Sequence, residues 1–362
     1  MRARRLFLGQ LAALSLAACD KKPSASGAPA AASSSPATPR RPSGELVLFA
    51  WSEYVPAEVI DGFTRETGVK VKYEAYSSNE EMLTKLLAGG AAYDLLQPSE
   101  YMVEALSKKG KLARIDAARI PNRRHLLPEY LGLPHDPRDE WGVPYMAGTV
   151  GIAVNTEKVK QPIAGFNDVF TPKHKGRIVV VSDAREIVSW AMATLGIDAN
   201  DVSAQTLAKV KPVLERWLPL VKVFDSDSPK SAMLNGDCDL GVVFSGEAAA
   251  LIQADKKYSY VLPSEGAHRF VDYLCIPAGA KNPDAAHAFI DHVLRPEVSR
   301  LISDKFPYTN PNADARKLLS KEALDNPASY PKSPGKLGTF RDIGKAAADV
   351  DRLVTELRAK LR

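Results

Sequence analysis

The residues of this sequence best suited to chemistry are carboxylates and aromatic rings set close together. Trp51-Ser52-Glu53-Tyr54 puts two rings, a hydroxyl and a carboxylate in consecutive positions, and Ser99-Glu100-Tyr101 repeats the theme. Asp183 and Glu186 stand at i and i+3, Glu247 opens an alanine-rich stretch, and Asp272 lies between Phe270 and Tyr273. A ring face attracts an organic cation through its quadrupole, and a carboxylate accepts the cation's N–H groups. A charge-assisted hydrogen bond contributes about 1.5–3 kcal/mol and a cation–π contact roughly 0.5–2 kcal/mol. Two or three ammonium groups held this way reach the about −8 kcal/mol of micromolar binding, after ordering costs. Each residue also has a structural reading. Asp183 with Glu186 fits a helix cap, Glu247 complements a helix dipole, and Trp51 and Tyr54 fit ordinary packing. A cap does not explain Asp272, whose carboxylate needs water or a cationic partner. Paired carboxylates also serve glycoside hydrolysis, but no G-x-S-x-G, Walker A or G-x-G-x-x-G motif is present. H-E-x-x-H and C-x-x-C are missing too, and the six histidines lack metal spacing. The expectation is a binding protein without catalysis, cofactor or metal.

These residues need elements that carry them to one place. Residues 46–50 are an apolar run with the length of a buried strand, ending at Trp51. Pro56 opens a helical pattern with Val59, Ile60 and Phe63 on its apolar face, and Gly68 suits its C-cap. Val69, Val71 and Tyr73 alternate with Lys70 and Lys72, as in a half-exposed strand. Ser78 with Glu81 is a capping-box signature for a helix that stops at Gly89-Gly90. A third strand over 93–96 leads to Ser99-Glu100-Tyr101 and a helix reaching Lys109. This alternation predicts an α/β lobe with a mostly parallel sheet, in which ligands bind beyond the carboxyl ends of the strands. The first and third strands end in the same chemistry. After a loop-like stretch over 111–142, an apolar strand over 149–154 begins a second lobe, with the crossing near 148. Strands over 177–181 and 240–244 bring Asp183 and Glu247 to their ends, and a return strand over 272–277 carries Asp272.

The chain has 362 residues, 45% hydrophobic and 25% charged, as is normal for a globular protein. It begins with a basic start, a short apolar stretch and small residues before Cys19, so 1–18 reads as a secretory signal. Residues 19–43 are rich in Ala, Ser and Pro and read as a flexible linker. The rest of the chain exceeds the roughly 250–300 residues at which one core stops growing, so two lobes are expected. Beyond the leader no apolar run approaches the ~18 residues of a membrane span. A net charge of +5 gives no nucleic-acid footprint. Cys238 and Cys275 read as unpaired thiols.

Leu16-Ala17-Ala18-Cys19 resembles the bacterial lipobox, Arg4-Arg5-Leu6-Phe7-Leu8 the twin-arginine export signal, and Asp20 an inner-membrane retention signal. FAWSEYVP at 49–56, ETGVKVKYEAYSSNEEMLTKL at 66–86 and AYDLLQPSEY at 92–101 carry a wider likeness. So do SDAREIV at 182–188, SEGAHRFVDYLCIPAGAKN at 264–282 and PNADARKLLS at 311–320. From about 44 to 350 the chain resembles the bacterial spermidine/putrescine-binding periplasmic proteins, the solute-binding components of ABC importers. The resemblance implies a type II two-lobed α/β fold, each lobe a mostly parallel sheet flanked by helices, closing on a hinge. Lobe 1 would comprise 44–148 and 271–317, and lobe 2 would comprise 149–270 and 318–362. It implies a polyamine site at Trp51, Ser52, Glu53, Tyr54, Ser99, Tyr101, Asp183, Glu186, Phe244, Glu247, Phe270 and Asp272. Asp272 would hold one ammonium, Glu186 with Asp183 another, and the rings would line the methylenes. Phe244 and Phe270 fall where spermidine binders usually carry Trp, and Glu247 where putrescine-preferring members carry an acid. Arg341 falls near a position usually held by a neutral polar residue; a cation pointing into the cleft there would repel an ammonium, the alternative being a pair with a local acid. The implied partners are a polyamine and an inner-membrane permease. The implied location is the periplasm, with a monomer tethered to the inner membrane through lipidated Cys19. The alternatives are another cationic amine or opine-like solute on the same scaffold, and an amine-conjugate hydrolase.

Overall fold

The computed structural model describes residues 43–89, 92–333 and 335–361. Cys19 and the leader lie outside the described residues. Strand β1 (Glu45–Trp51) lies between β2 (Lys70–Tyr76) and β3 (Leu95–Leu96), all parallel. Leu46, Leu48, Phe49 and Ala50 are all buried, which is why β1 reads as an unbroken apolar run. Each strand feeds a helix: Ala57–Thr67, Asn79–Ala88 and Glu100–Lys108. Gly68 ends the first with a left-handed φ of 77°, and Ser78 caps the second by accepting from the Glu81 N–H at 3.1 Å. The three βα turns therefore fall along one edge of the sheet, beside Trp51 and Ser99.

The second sheet is built on β4 (Val143–Asn155), β5 (Ile178–Val180), β6 (Val221–Phe224), β7 (Leu240–Phe244), β8 (Tyr258–Val261), β9 (Ala267–Leu274) and β10 (Leu337–Gly338). Its order is β10-β9-β4-β7-β5-β6, with β8 also on β4. Where a mostly parallel sheet was expected, this one is mixed: β5 runs parallel to β6 and β7, but β4 is antiparallel to β7, β8 and β9. The reason is connectivity. β4 enters this half of the molecule and β9 leaves it, so the two run in opposite directions. They pair from Val143↔Leu274 to Thr149↔Arg269. Bridges Leu96↔Cys275 and Ser99↔Asp272 then tie β9 to the end of β3. The return strand thus starts five residues earlier than expected, and Asp272 sits within it.

Helices Pro283–Val293 and Pro296–Lys305 pack back against Ala57–Thr67, whereas Ala346–Ala359 packs on Ala184–Thr194 and Ala204–Trp217. One buried cluster extends from Leu48 and Phe63 through Val150 and Ile152 to Trp190 and Leu214. Cys238 and Cys275 are free thiols buried in separate clusters.

Candidate functional site

The carboxyl ends of β1, β3, β5 and β7 meet over the β4–β9 ribbon around a cavity of about 620 Å³, its open mouth included. Trp51, Ser52, Glu53 and Tyr54 line it from the turn after β1, and Ser99 and Tyr101 from the turn after β3. Asp183 and Glu186 face them from the start of helix Ala184–Thr194, and Phe244 and Glu247 from the end of β7 and the helix after it. Phe270 and Asp272 rise from β9. Twelve of the thirteen residues expected at the site therefore share one cavity. The helix-cap reading of Asp183 also holds, since its carboxylate accepts from the Glu186 N–H at 3.0 Å. One group does both jobs.

Arg341 is the thirteenth, and the pairing with a local acid describes it. It does not line the cavity; its guanidinium turns away into a two-pronged pair with Glu104, Nε to Oε2 at 2.9 Å and Nη2 to Oε1 at 2.7 Å. A fixed fork matched to a carboxylate is the favoured state for an arginine, and Glu104, on helix Glu100–Lys108, is in reach. Its neighbour Phe340 lines the cavity instead.

Asp272 lines the cavity from β9. It is buried, and its carboxylate accepts from Tyr54 Oη at 2.6 Å and Ser99 Oγ at 2.6 Å. Ser99 sits at the N-cap position of its helix but makes no side-chain cap. Its hydroxyl serves Asp272, steadied by Asn79 Nδ2 donating at 3.1 Å. Burial pushes Asp272 up to about 7, although the two hydroxyls pull the other way. A carboxyl this poorly solvated is stabilised by an arriving cation. Burial, then the neighbouring Glu186 charge, also raises Asp183.

Glu186 is held differently. His268 Nδ1 contacts it, His268 Nε2 lies 3.0 Å from Glu100 Oε1, and Trp190 Nε1 donates to Glu186 at 3.2 Å. Burial opposes a charge on His268, but the Glu186 and Glu100 carboxylates outweigh it and raise the imidazole to about 10. Glu186 and Glu100 thus share an internal imidazolium, which is stacked on Phe340 at 3.6 Å.

Rings enclose the remaining walls. Tyr54 meets Tyr308 edge-on at 5.2 Å, and Phe244 meets Phe270 edge-on at 5.8 Å. Tyr308 comes this close because Gly246 has no side chain; a Cβ there would fall 2.3 Å from the ring.

Six lining residues escaped the sequence reading: Asn79, Ser226, Asp227, His268, Tyr308 and Phe340. One signal was available. His268, Phe270 and Asp272 alternate along β9, so a strand starting at Ala267 puts all three on one face. Tyr308 and Phe340 come from irregular stretches with no period to read.

A sequence profile of the bacterial extracellular solute-binding protein family matches residues 58–332. The spermidine/putrescine-binding periplasmic protein of Salmonella typhimurium is 35% identical over 318 residues, spanning 87% of this chain and 91% of that one. The protein of the same name from Escherichia coli K12 is also 35% identical, with the same coverage. Among solved structures, a putative spermidine/putrescine ABC transporter protein from Listeria monocytogenes superposes with a TM-score of 0.85 at 32% identity, covering 87% of this chain and 99% of that one. With two helix-flanked sheets, a cavity over their strand ends and this degree of likeness, the chain belongs to the bacterial extracellular solute-binding proteins.

Proposed function

We infer that this chain is the polyamine-binding receptor of an ABC importer and acts outside the cytoplasmic membrane. The observation that carries the reading is Asp272: a buried carboxylate, solvated by two hydroxyls and, among the described residues, by no cationic side chain, inside a box of aromatic rings. An ammonium completes that arrangement, and the rings take the methylenes between ammonium groups. The names of the relatives agree with it. In this reading Asp183 and Asp272 hold ammonium groups, Trp51, Tyr54, Tyr101, Phe244, Phe270 and Tyr308 line the chain of the ligand, and Ser52 and Ser99 tune the polar ends. The lobes are 44–148 with 271–317 and 149–270 with 318–362, and they close about the β4–β9 ribbon. Cys19 carries the lipid that tethers the receptor. Mass analysis of the mature N-terminus tests that assignment, an unmodified Cys19 counting against it.

A calorimetric panel of putrescine, cadaverine, spermidine and spermine, with neutral and anionic controls, tests the main reading. Micromolar or tighter binding of at least one polyamine is expected, with no heat from the controls. Binding of the anionic or neutral solutes alone, or turnover of a bound compound, would overturn it.

A further inference from the structure

An ammonium already stands against two of the carboxylates that line the cavity. Lys230, in helix Pro229–Leu234, reaches across the cleft to the turn after β1. Its Nζ lies 2.8 Å from Glu53 Oε2, 3.0 Å and 3.2 Å from the two Glu247 oxygens and 3.1 Å from Ser228 Oγ. Glu53 and Glu247 both line the cavity, and Glu247 is buried. Glu53 holds a left-handed φ of 50°, uncommon for a side-chain-bearing residue, to aim at this point. Burial works against the charge on Lys230, yet Glu247 and Glu53 outweigh it and raise its pKa. The lysine is an ammonium ion at the end of a four-carbon chain, the same chemistry as one end of a polyamine.

Among the carboxylates on the cavity, Glu53 and Glu247 are therefore satisfied by Lys230, and Glu186 by His268. Asp227 is exposed at the rim. Asp183 and Asp272 remain, buried and, among the described residues, with no cationic side chain paired to them. We propose that Lys230 sets the charge of the ligand: its ammonium occupies the cation position between Glu53 and Glu247, so the cavity selects a diammonium ligand over a triammonium one. A third ammonium entering between Glu53 and Glu247 meets a like charge at close range, which disfavours it. The alternative is to expel Lys230 to water, breaking its bonds to a buried Glu247.

This proposal rests on the polyamine reading, and the test separates the two. Putrescine and spermidine are titrated into the wild-type protein, Lys230→Met and Lys230→Arg at one pH and ionic strength. Lys230→Met keeps the chain length and removes the charge, and Lys230→Arg keeps the charge. Wild type is expected to prefer putrescine. Lys230→Met is expected to shift the putrescine-to-spermidine affinity ratio at least tenfold towards spermidine, and Lys230→Arg to shift it by less than threefold. Binding of both ligands with a ratio unchanged in Lys230→Met overturns the role of Lys230 and leaves the polyamine reading standing. Binding of neither ligand to wild type or Lys230→Met overturns both. Should Lys230→Met unfold, Lys230→Gln replaces it, with thermal unfolding recorded for each variant.

Discussion

Asp272 and Glu186 are equally buried carboxylates on one cavity, each 3% exposed, and the protein treats them in opposite ways. Asp272 is given two hydroxyls, Tyr54 and Ser99. Glu186 is given an indole N–H and half of an imidazolium. Neutral donors reduce the penalty of burying a carboxylate without cancelling its charge, whereas an internal cation cancels it. The first carboxylate is thus left in deficit until a cation arrives, and the second is complete in the empty protein. Position on the cavity wall does not by itself assign a ligand contact; the partner already present decides it.

The largest effect should come from comparing the two conservative amides. Asp272→Asn removes the group that awaits the ligand, so polyamine affinity should fall by roughly a hundredfold, in line with truncating a buried charged partner. The ligand-free protein should not lose stability, because the amide carries no charge for burial to penalise. Glu186→Gln should cost less than about tenfold in affinity, but destabilise the ligand-free protein by about 1–3 kcal/mol, since His268 loses a charged partner. Calorimetric titration and thermal unfolding of the two variants read both quantities. If Glu186→Gln weakened binding more than Asp272→Asn, the contrast would be inverted.

A smaller effect should follow pH. Asp272 in the folded protein titrates at about 7, raised from its ordinary value of 3.8, and Asp183 moves the same way. The groups facing Asp272 include Tyr54, Ser99, Glu100 and His268, with Tyr76 and Tyr308 also close enough to act on it. A raised carboxyl contributes stability that is fully present below its unfolded pKa and is lost as pH climbs through the folded one. The ligand-free protein should therefore melt at a lower temperature at pH 8 than at pH 5.5. His268, raised from 6.5 to about 10, stays protonated in the folded protein while the unfolded chain loses that proton above about pH 6.5, so it adds to the loss of stability over the upper part of this window. A cationic ligand needs the ionised acids, so its affinity should rise over the same interval, with proton release on binding. In Asp272→Asn both slopes should shrink, leaving in the stability profile the parts set by Asp183 and His268. Melting temperature and binding enthalpy in buffers of differing ionisation heat measure this, and a slope unchanged in the variant would assign the titration elsewhere.

The first half of the molecule was nearly transparent in the sequence, and the second less so. β1 and its turn are local: an apolar run, a break, a capped helix. β3 shrank from the four residues its apolar pattern implied to two, because only Leu95 and Leu96 lie opposite β1. The β4–β9 ribbon was harder, since its antiparallel pairing joins residues more than a hundred positions apart and leaves no local period for direction. The cavity acids were legible because they stand beside rings, most of them at strand ends, with Asp272 inside β9. Their partners were not: His268 reaches Glu186 across 82 positions and Lys230 reaches Glu53 across 177. Sequence shows which groups carry charge; only the fold shows which charges are already spent on each other.

Arg341 offers the smallest effect and the sharpest control on that last point. From its position next to Phe340 it could have filled the cavity with a guanidinium. Instead its fork closes on Glu104, which keeps further contacts to Lys108 Nζ at 3.0 Å and to the Asp342 N–H at 3.0 Å. The Arg341 side chain is 43% exposed, so the pair is screened by solvent and its contribution is small. Arg341→Ala should change polyamine affinity by no more than about twofold and stability by at most about 1 kcal/mol. Phe340 should keep its place, because its N–H bonds Glu100 and its ring stacks on His268. A several-fold gain in polyamine affinity on removing Arg341 would mean that the guanidinium reaches the cavity in solution and competes with the ligand. The division between spent and unspent charges would then have to be redrawn with Arg341 on the cavity side.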